Sequence, residues 1–454
     1  MPKLSYYNHF FPYRDGYYLA FNAATGAVAM MTAENYSMYQ KLCECLADGR
    51  TNSLTQQEKE LLTQLQYGKF VIESDWSEQD QLRFKYRRAR FDPMTLGLVI
   101  APTMACNMAC RYCFEENKKG RMTPRVVEAL ITFVENQARA LKDVQITWYG
   151  GEPLLAVDVM EDIAEAIFDL EREYKFTCPP SSMFSNGYLL TPETTDRLVR
   201  LRVGQVLITL DGPARLHNQK RPLKNGRESF DTILDNISHA VDKLAIGIRV
   251  NVDKSFSAAI IEELLDEIEA RGLREKVGVL FGQLEPATTA CANISENCHE
   301  SRSYSDTEIE YYRLLLNRGF IIQKLPQPIL SFCIAQLMNS YLIDPDGDMY
   351  RCFNHAGDKS KSMGNIQAPV NYQHVEFDRL FSFDPFDTEA CRSCTILPLC
   401  MGGCAARRKD RHVAADEVCD TWKYNLQPML EIIAQSRQQQ RQRQMNQATQ
   451  ETSK

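Results

Sequence analysis

The sequence predicts an α/β chain built on a parallel sheet, and three observations carry that prediction. Between residues 96 and 281, six short apolar runs alternate with stretches of helical apolar spacing. Hydrophobic residues make up 44% of the 454, an ordinary share for a soluble protein with room for two or three cored domains. No apolar run approaches the roughly 20 residues needed to cross a bilayer. Third, ten of the fifteen cysteines fall into two blocks, one directly behind the first apolar run and one in the last third of the chain.

Taken in order, residues 17–21 and 27–31 read as strands of a hairpin around the turn at 22–26. Amphipathic helices follow at 33–46 and 55–65, then a short strand at 69–72. The charged stretch 73–92 reads as a linker or a solvated helix. Strands are expected at 96–101, 144–149, 182–185, 206–210, 247–252 and 277–281, with helices at 124–140, 157–174, 230–243 and 259–271. Six strand–helix repeats imply parallel strands joined by right-handed crossovers. Further on, Pro345-Asp346-Gly347 sits between two apolar segments, and glycine tolerates the positive φ of a tight turn, so a hairpin delivers Cys352. Residues 436–454 are rich in Gln and Arg and read as a fraying helix end or a disordered tail.

The chemistry resides in the cysteines. Cys106, Cys110 and Cys113 stand in the run Ala105-Cys106-Asn107-Met108-Ala109-Cys110-Arg111-Tyr112-Cys113. Three thiolates are one fewer than a [4Fe–4S] cubane needs to occupy all its irons, which leaves one iron open. The second block holds Cys333, then Gly347 and Cys352, then Cys391, Cys394, Cys400, Cys404 and Cys419. Met401-Gly402-Gly403-Cys404 lets backbone pass close to a bulky group. Zinc knuckles are the alternative for both blocks, although structural zinc takes four ligands and the first block offers three. A disulfide framework fits poorly, because no apolar signal segment opens the chain and its thiols suit a reducing cytoplasm. A net charge of −7 argues against nucleic acid as a partner and favours a peptide or small protein.

The triplet, with Tyr112 before its last cysteine, resembles the signature of the radical S-adenosylmethionine (SAM) superfamily. That resemblance implies a [4Fe–4S] cluster whose open iron binds SAM and whose electron releases a 5′-deoxyadenosyl radical. It also implies a partial (β/α)6 TIM-type barrel with its chemistry at the C-terminal ends of the strands. The seven later cysteines resemble the SPASM extension, which implies two auxiliary [4Fe–4S] clusters, one on Cys333, Cys352 and Cys404 and one on Cys391, Cys394, Cys400 and Cys419. The order of N-terminal elements resembles the winged-helix-like peptide-recognition domain of radical SAM peptide maturases, which grip a leader peptide at a sheet edge. Four regions are thus expected: 1–92 for peptide recognition and linker, 93–325 for the barrel, 326–435 for SPASM and 436–454 for the tail.

Other motifs fall at the expected strand ends. Gly150-Gly151-Glu152-Pro153 follows the second strand: its glycines bare the backbone, and the Glu152 carboxylate can pair with an ammonium. A plain turn is the alternative. The resemblance gives this motif to the amino group of SAM, puts Ser185, Asn186 and Thr209 along the SAM site, and sets Arg221 against the SAM carboxylate, whose two oxygens suit a planar guanidinium. Ordinary strand-end polarity or surface charge is the alternative for each.

Two departures matter. Anaerobic sulfatase maturases, which resemble this chain, carry an aspartate base just after the cysteine matching Cys352; here Phe353 takes that place. They also carry a cysteine where this chain has Gln327, so either Cys291 or Cys298 completes the first auxiliary cluster or one iron stays open. Cys43, Cys45 and Cys178 read as small apolar residues. The expectation is a cytoplasmic enzyme that installs a carbon–carbon or thioether cross-link in a ribosomally made precursor peptide, fed by a one-electron reductant such as flavodoxin or ferredoxin. The alternatives are formylglycine formation on sulfatases and a non-catalytic, zinc-stapled peptide-binding scaffold. No acid or base residue is legible.

Overall fold

Short antiparallel strands open the chain. In the computed structural model, which describes every residue except 1, 74, 76, 114, 116–119, 286–293, 332, 409–416 and 453–454, β1 (Pro2–Leu4) pairs with β5 (Val71–Glu73). Between them β2 (Asn8–Pro12), β3 (Tyr18–Asn22) and β4 (Ala27–Met31) form a meander. Asn22 shapes its second turn by accepting the backbone N–H groups of Ala24 at 3.0 Å and Thr25 at 3.1 Å. Helix α1 (Ala33–Ala47) starts where Thr32 caps the Asn35 N–H, and α2 (Gln56–Tyr67) starts on a reciprocal Thr55–Glu58 capping box. Leu42, Leu46, Leu61, Leu65 and Phe70 bury together beneath the sheet.

The charged stretch after β5 forms a helix, α3 (Glu78–Arg90), and its charges have partners. Arg87 pairs with Asp384 at 2.9 Å, Arg83 with Asp387 at 3.0 Å, and buried Arg90 donates to the Phe383 carbonyl at 2.8 Å. These contacts place residues 383–454 in one compact unit with residues 1–90 and 324–333. Within that unit the Gln- and Arg-rich end of the chain is helical, part of a helix from Trp422 to Thr452 that is kinked at Asn425. Both residue types are good helix formers, and Gln442 donates to Asn446 one turn on at 3.0 Å.

The second unit holds residues 91–323 and 334–382. Its sheet contains β6 (Thr95–Ile100), β7 (Asp143–Trp148), β8 (Ser181–Ser185), β9 (Val203–Thr209), β10 (Ala245–Val252) and β11 (Val277–Gln283), all parallel and in chain order. The crossovers carry α4 (Pro124–Ala138), α5 (Val157–Tyr174), α6 (Pro192–Arg200), α7 (Ala214–Lys220), α8 (Phe230–Ala240) and α9 (Ala258–Ala270), and α10 (Ser301–Arg318) follows β11. This is the partial (β/α)6 arrangement expected. Fully buried Trp148 donates to Ser181 Oγ at 3.1 Å and ties β7 to β8.

One part of the topology was not expected. The hairpin leading to Cys352, β12 (Ser340–Ile343) and β13 (Met349–Tyr350), joins this same sheet, with β12 lying parallel along the edge of β6. All four residues of β12 are buried, as a strand covered on both faces requires. Gly347 turns the hairpin at φ 83°. No described helix is long and apolar enough to cross a membrane.

Candidate functional site

A cavity of about 500 Å³ opens at the C-terminal ends of the parallel strands, and Cys106, Cys110 and Cys113 line it. Their loop follows β6 and is pinned along its length. Ala109 N–H donates to the Pro222 carbonyl at 2.8 Å, Lys224 N–H to Asn107 at 2.9 Å, and Met104 N–H to Gly120 at 3.1 Å. Met108 N–H points at Cys106 Sγ from 3.4 Å. Burial pushes the Cys106 thiol up to about 11, so it ionises at neutral pH only against a compensating cation such as a bound metal.

The glycine pair after β7 explains how the loop is supported. A Cβ on Gly150 would meet the Thr103 carbonyl oxygen at 2.2 Å, and one on Gly151 would meet the Met104 and Ala105 oxygens at 2.4 and 2.5 Å. Gly150 also sits at φ 119°. With no side chains in the way, Gly151 and Glu152 donate their N–H groups to Thr103 at 3.2 Å and Ala105 at 2.9 Å. Both glycines line the cavity. The Glu152 carboxylate has protein partners: it is fully buried and accepts from Asn186 N–H at 2.7 Å, Ser185 Oγ at 2.9 Å and Leu154 N–H at 3.0 Å. These bonds tie it to Ser185 and Asn186, which line the cavity.

Tyr112, Thr209 and Arg221 also line the cavity, as does Asn251, which was not singled out from sequence. The Tyr112 hydroxyl donates to Asp211 and accepts from Arg221 Nη1 and, at 3.2 Å, from Asn251 Nδ2. One donated and two accepted bonds exhaust a hydroxyl. Tyr112 thus holds Arg221 in place, with Asp211 Oδ2 3.6 Å from Arg221 Nη1. His217, kept neutral by burial, accepts the Asp211 N–H at 3.2 Å through Nδ1 and donates through Nε2 to Ser229 Oγ, also at 3.2 Å. Among the described residues Arg221 Nε is buried without a hydrogen-bond partner. A buried guanidinium N–H left unpaired is costly, and a carboxylate-bearing cosubstrate would satisfy it.

Part of the cavity wall is aromatic. Tyr149, Phe184 and Phe353 meet edge to face, with centroids 5.0 to 6.1 Å apart. Sequence reading flagged Phe353 for its chemistry but could not see that the ends of β7 and β8 supply its neighbours.

Residues 100–268 match the family model described as the Radical SAM superfamily. The chain carries a radical SAM domain. Among curated relatives, this chain is 24% identical over 340 residues to the serine-type anaerobic sulfatase-maturating enzyme of Klebsiella aerogenes, covering 69% of this chain and 80% of that protein. It is 27% identical over 332 residues to the mycofactocin maturase MftC of Mycolicibacterium smegmatis, covering 67% and 77%. Among solved structures, native anSMEcpe with bound AdoMet and Kp18Cys peptide matches with a TM-score of 0.58 at 20% identity over 76% of this chain and 99% of that one. Streptococcus suis SuiB bound to precursor peptide SuiA matches with a TM-score of 0.52 at 16% identity over 90% and 97%. The superfamily and its maturase relatives make this an enzyme, which sets aside the non-catalytic scaffold.

The later cysteines are divided between the two units. Cys352 ends the β12–β13 hairpin. Cys391, Cys394, Cys400 and Cys419 belong to the other unit, as do Cys333 and Cys404. There Cys391 lies within electrostatic reach of Cys419 and Cys394, and Cys400 of Cys394 and Cys391. Among the described residues no three His, Cys, Asp or Glu side chains are grouped to hold a single metal ion. Gln327 packs instead against the β3–β4 turn, where a Cβ on Gly26 would meet its Oε1 at 2.9 Å. Cys298 donates its thiol to the Ile294 carbonyl at 3.3 Å, and Cys291 lies outside the described residues.

Proposed function

We propose that the chain is a radical SAM maturase of a ribosomally made precursor peptide, in which it installs a carbon–carbon or thioether cross-link. The observation that carries this reading is the cavity itself, which has three cysteines, an unpaired Arg221 N–H and a wall that is in part aromatic. Cys106, Cys110 and Cys113 would hold a [4Fe–4S] cluster, and Gly150, Gly151, Ser185, Asn186, Thr209 and Arg221 would hold SAM beside it. When bound, the cluster and SAM supply a hydrogen-abstracting radical. The chain's own residues bind, orient and exclude water.

Glu152 and Tyr112 fix the polar side, and Tyr149, Phe184 and Phe353 shield a carbon-centred radical from polar quenchers. The relatives' printed substrates, sulfatases in one case and the precursor peptide SuiA in another, support a peptide substrate. Phe353 cannot accept a proton where a sulfatase-type oxidation would call for a base, which favours cross-linking over formylglycine formation. Residues 1–92 would take the leader peptide, a flavodoxin or ferredoxin would supply the electron, and the seven later cysteines would hold two auxiliary clusters.

The test is anaerobic reconstitution followed by dithionite and SAM, then co-expression with short peptides encoded beside the gene. Release of 5′-deoxyadenosine that Cys110→Ala abolishes, together with a peptide lighter by two hydrogens per bond formed, is expected. Absence of SAM cleavage by the iron-loaded chain would refute the reading, and a peptide aldehyde would replace cross-linking by formylglycine formation.

A further inference from the structure

Two cations converge on one sulfur in the cysteine-rich unit. Arg408 Nη2 lies 3.6 Å from Cys419 Sγ, and Lys423 Nζ lies 3.4 Å from the same atom. Arg408 is anchored from behind, since its Nε donates to the Gly402 carbonyl at 2.8 Å. Gly402 stands between Cys400 and Cys404 in a turn that runs through three successive positive-φ residues, Met401, Gly402 and Gly403. Its neighbour Arg407 reaches the same way, donating to the Glu417 carbonyl at 3.1 Å. Two adjacent arginines therefore stitch the Cys400–Cys404 turn to the segment that presents Cys419.

Such contacts have a definite electronic effect. At an iron–sulfur cluster, hydrogen bonds and positive charge at a ligand sulfur stabilise the reduced, more negative state and raise its potential. Both donors meet at Cys419.

We propose that Arg408 and Lys423 are positioning residues that hold the Cys419 thiolate and raise the potential of the cluster carried by Cys391, Cys394, Cys400 and Cys419. This rests on the reading of those four cysteines as one cluster site. Arg408 acts with the longer lever, because its other end is fixed to the turn; Lys423 is exposed and its share is screened by salt.

The experiment uses the full chain with Cys106, Cys110 and Cys113 changed to alanine, so that only auxiliary clusters titrate, followed by EPR during a redox titration. R408Q and K423Q should each keep full iron and make one cluster about tenfold harder to reduce, a shift of 59 mV for one electron, with the other cluster unmoved. R408K, which keeps the charge, should recover most of the loss. Unchanged midpoints in R408Q and K423Q at full iron would overturn the proposal. If R408Q sheds iron, K423Q decides alone, since Lys423 does not brace the turn. A C419A variant that retains all iron would instead refute the ligand set, a different failure from that of the two cations.

Discussion

Glu152 accepts the backbone N–H of Asn186 at 2.7 Å, while the side-chain amide of Asn186 donates to Asn107 Oδ1, also at 2.7 Å. One buried carboxylate thereby sets the end of β8 against the cysteine loop. Replacing it by Gln turns one acceptor into a donor that faces another donor. E152Q should cost about 1–3 kcal/mol of stability and weaken SAM binding at least tenfold, read by equilibrium dialysis. Unaltered SAM affinity in a folded E152Q would refute the positioning role.

The glycine pair makes a sharper demand. G151A drives a methyl into two carbonyl oxygens of the cysteine loop, and G150A adds strain from positive φ. Both should lower iron at the first cluster and SAM cleavage by roughly a hundredfold, which is about 2.7 kcal/mol of barrier. Iron per chain and 5′-deoxyadenosine release are the readouts.

The aromatic wall should govern coupling. F353A opens the contact with Tyr149 and Phe184 and leaves more room around the radical. The ratio of 5′-deoxyadenosine released to peptide modified should rise several-fold. A ratio equal to that of the unaltered enzyme would remove Phe353 from substrate handling.

Asp344 gives the hairpin a pH dependence. It accepts from Asp346 N–H at 3.0 Å, Asp348 N–H at 2.9 Å and the Tyr350 hydroxyl at 3.0 Å, yet burial outweighs these bonds and lifts its carboxyl from 3.8 to about 6. Across that window the folded chain keeps a proton that the unfolded chain has released. Stability should therefore fall as pH rises through it, by on the order of 3 kcal/mol, and level off above. Thermal melts over a pH series should show this step, and D344N should flatten it.

The first 90 residues also support the cysteine-rich region of their own unit. Tyr6 Oη donates to the Ser393 carbonyl at 2.6 Å, Gln79 Nε2 to Arg392 at 3.2 Å, and His9 Nε2 lies 3.4 Å from the Thr395 carbonyl. These carbonyls flank Cys394. Combining Y6F with Q79A should reduce iron retention under a chelator by several-fold, even with no peptide present; equal retention would confine these residues to packing.

Much of the fold was legible because its signals are local. Each of the six parallel strands lies within about three residues of its expected bounds, since continuous apolar runs between turn residues identify buried strands well. The cysteine blocks and Gly150-Gly151-Glu152 stood out by spacing. Asn251 and His217 did not, because they reach Tyr112 and Asp211 only after the crossovers bring their elements together. The attachment of β12 to β6 escaped for the same reason: a four-residue apolar strand carries no mark of which edge it will join. The three protein donors around the Glu152 carboxylate were not legible either, because folding alone brings Ser185 and Asn186 to it.

The seating of β12 on β6 bears on how such enzymes can be recombined. A chimera spliced ahead of Cys333 would strip the first barrel strand of its outer neighbour and leave a raw edge inviting aggregation. The natural seam for grafting a foreign cysteine-rich module lies beyond Ser382, with the hairpin travelling as part of the recipient barrel.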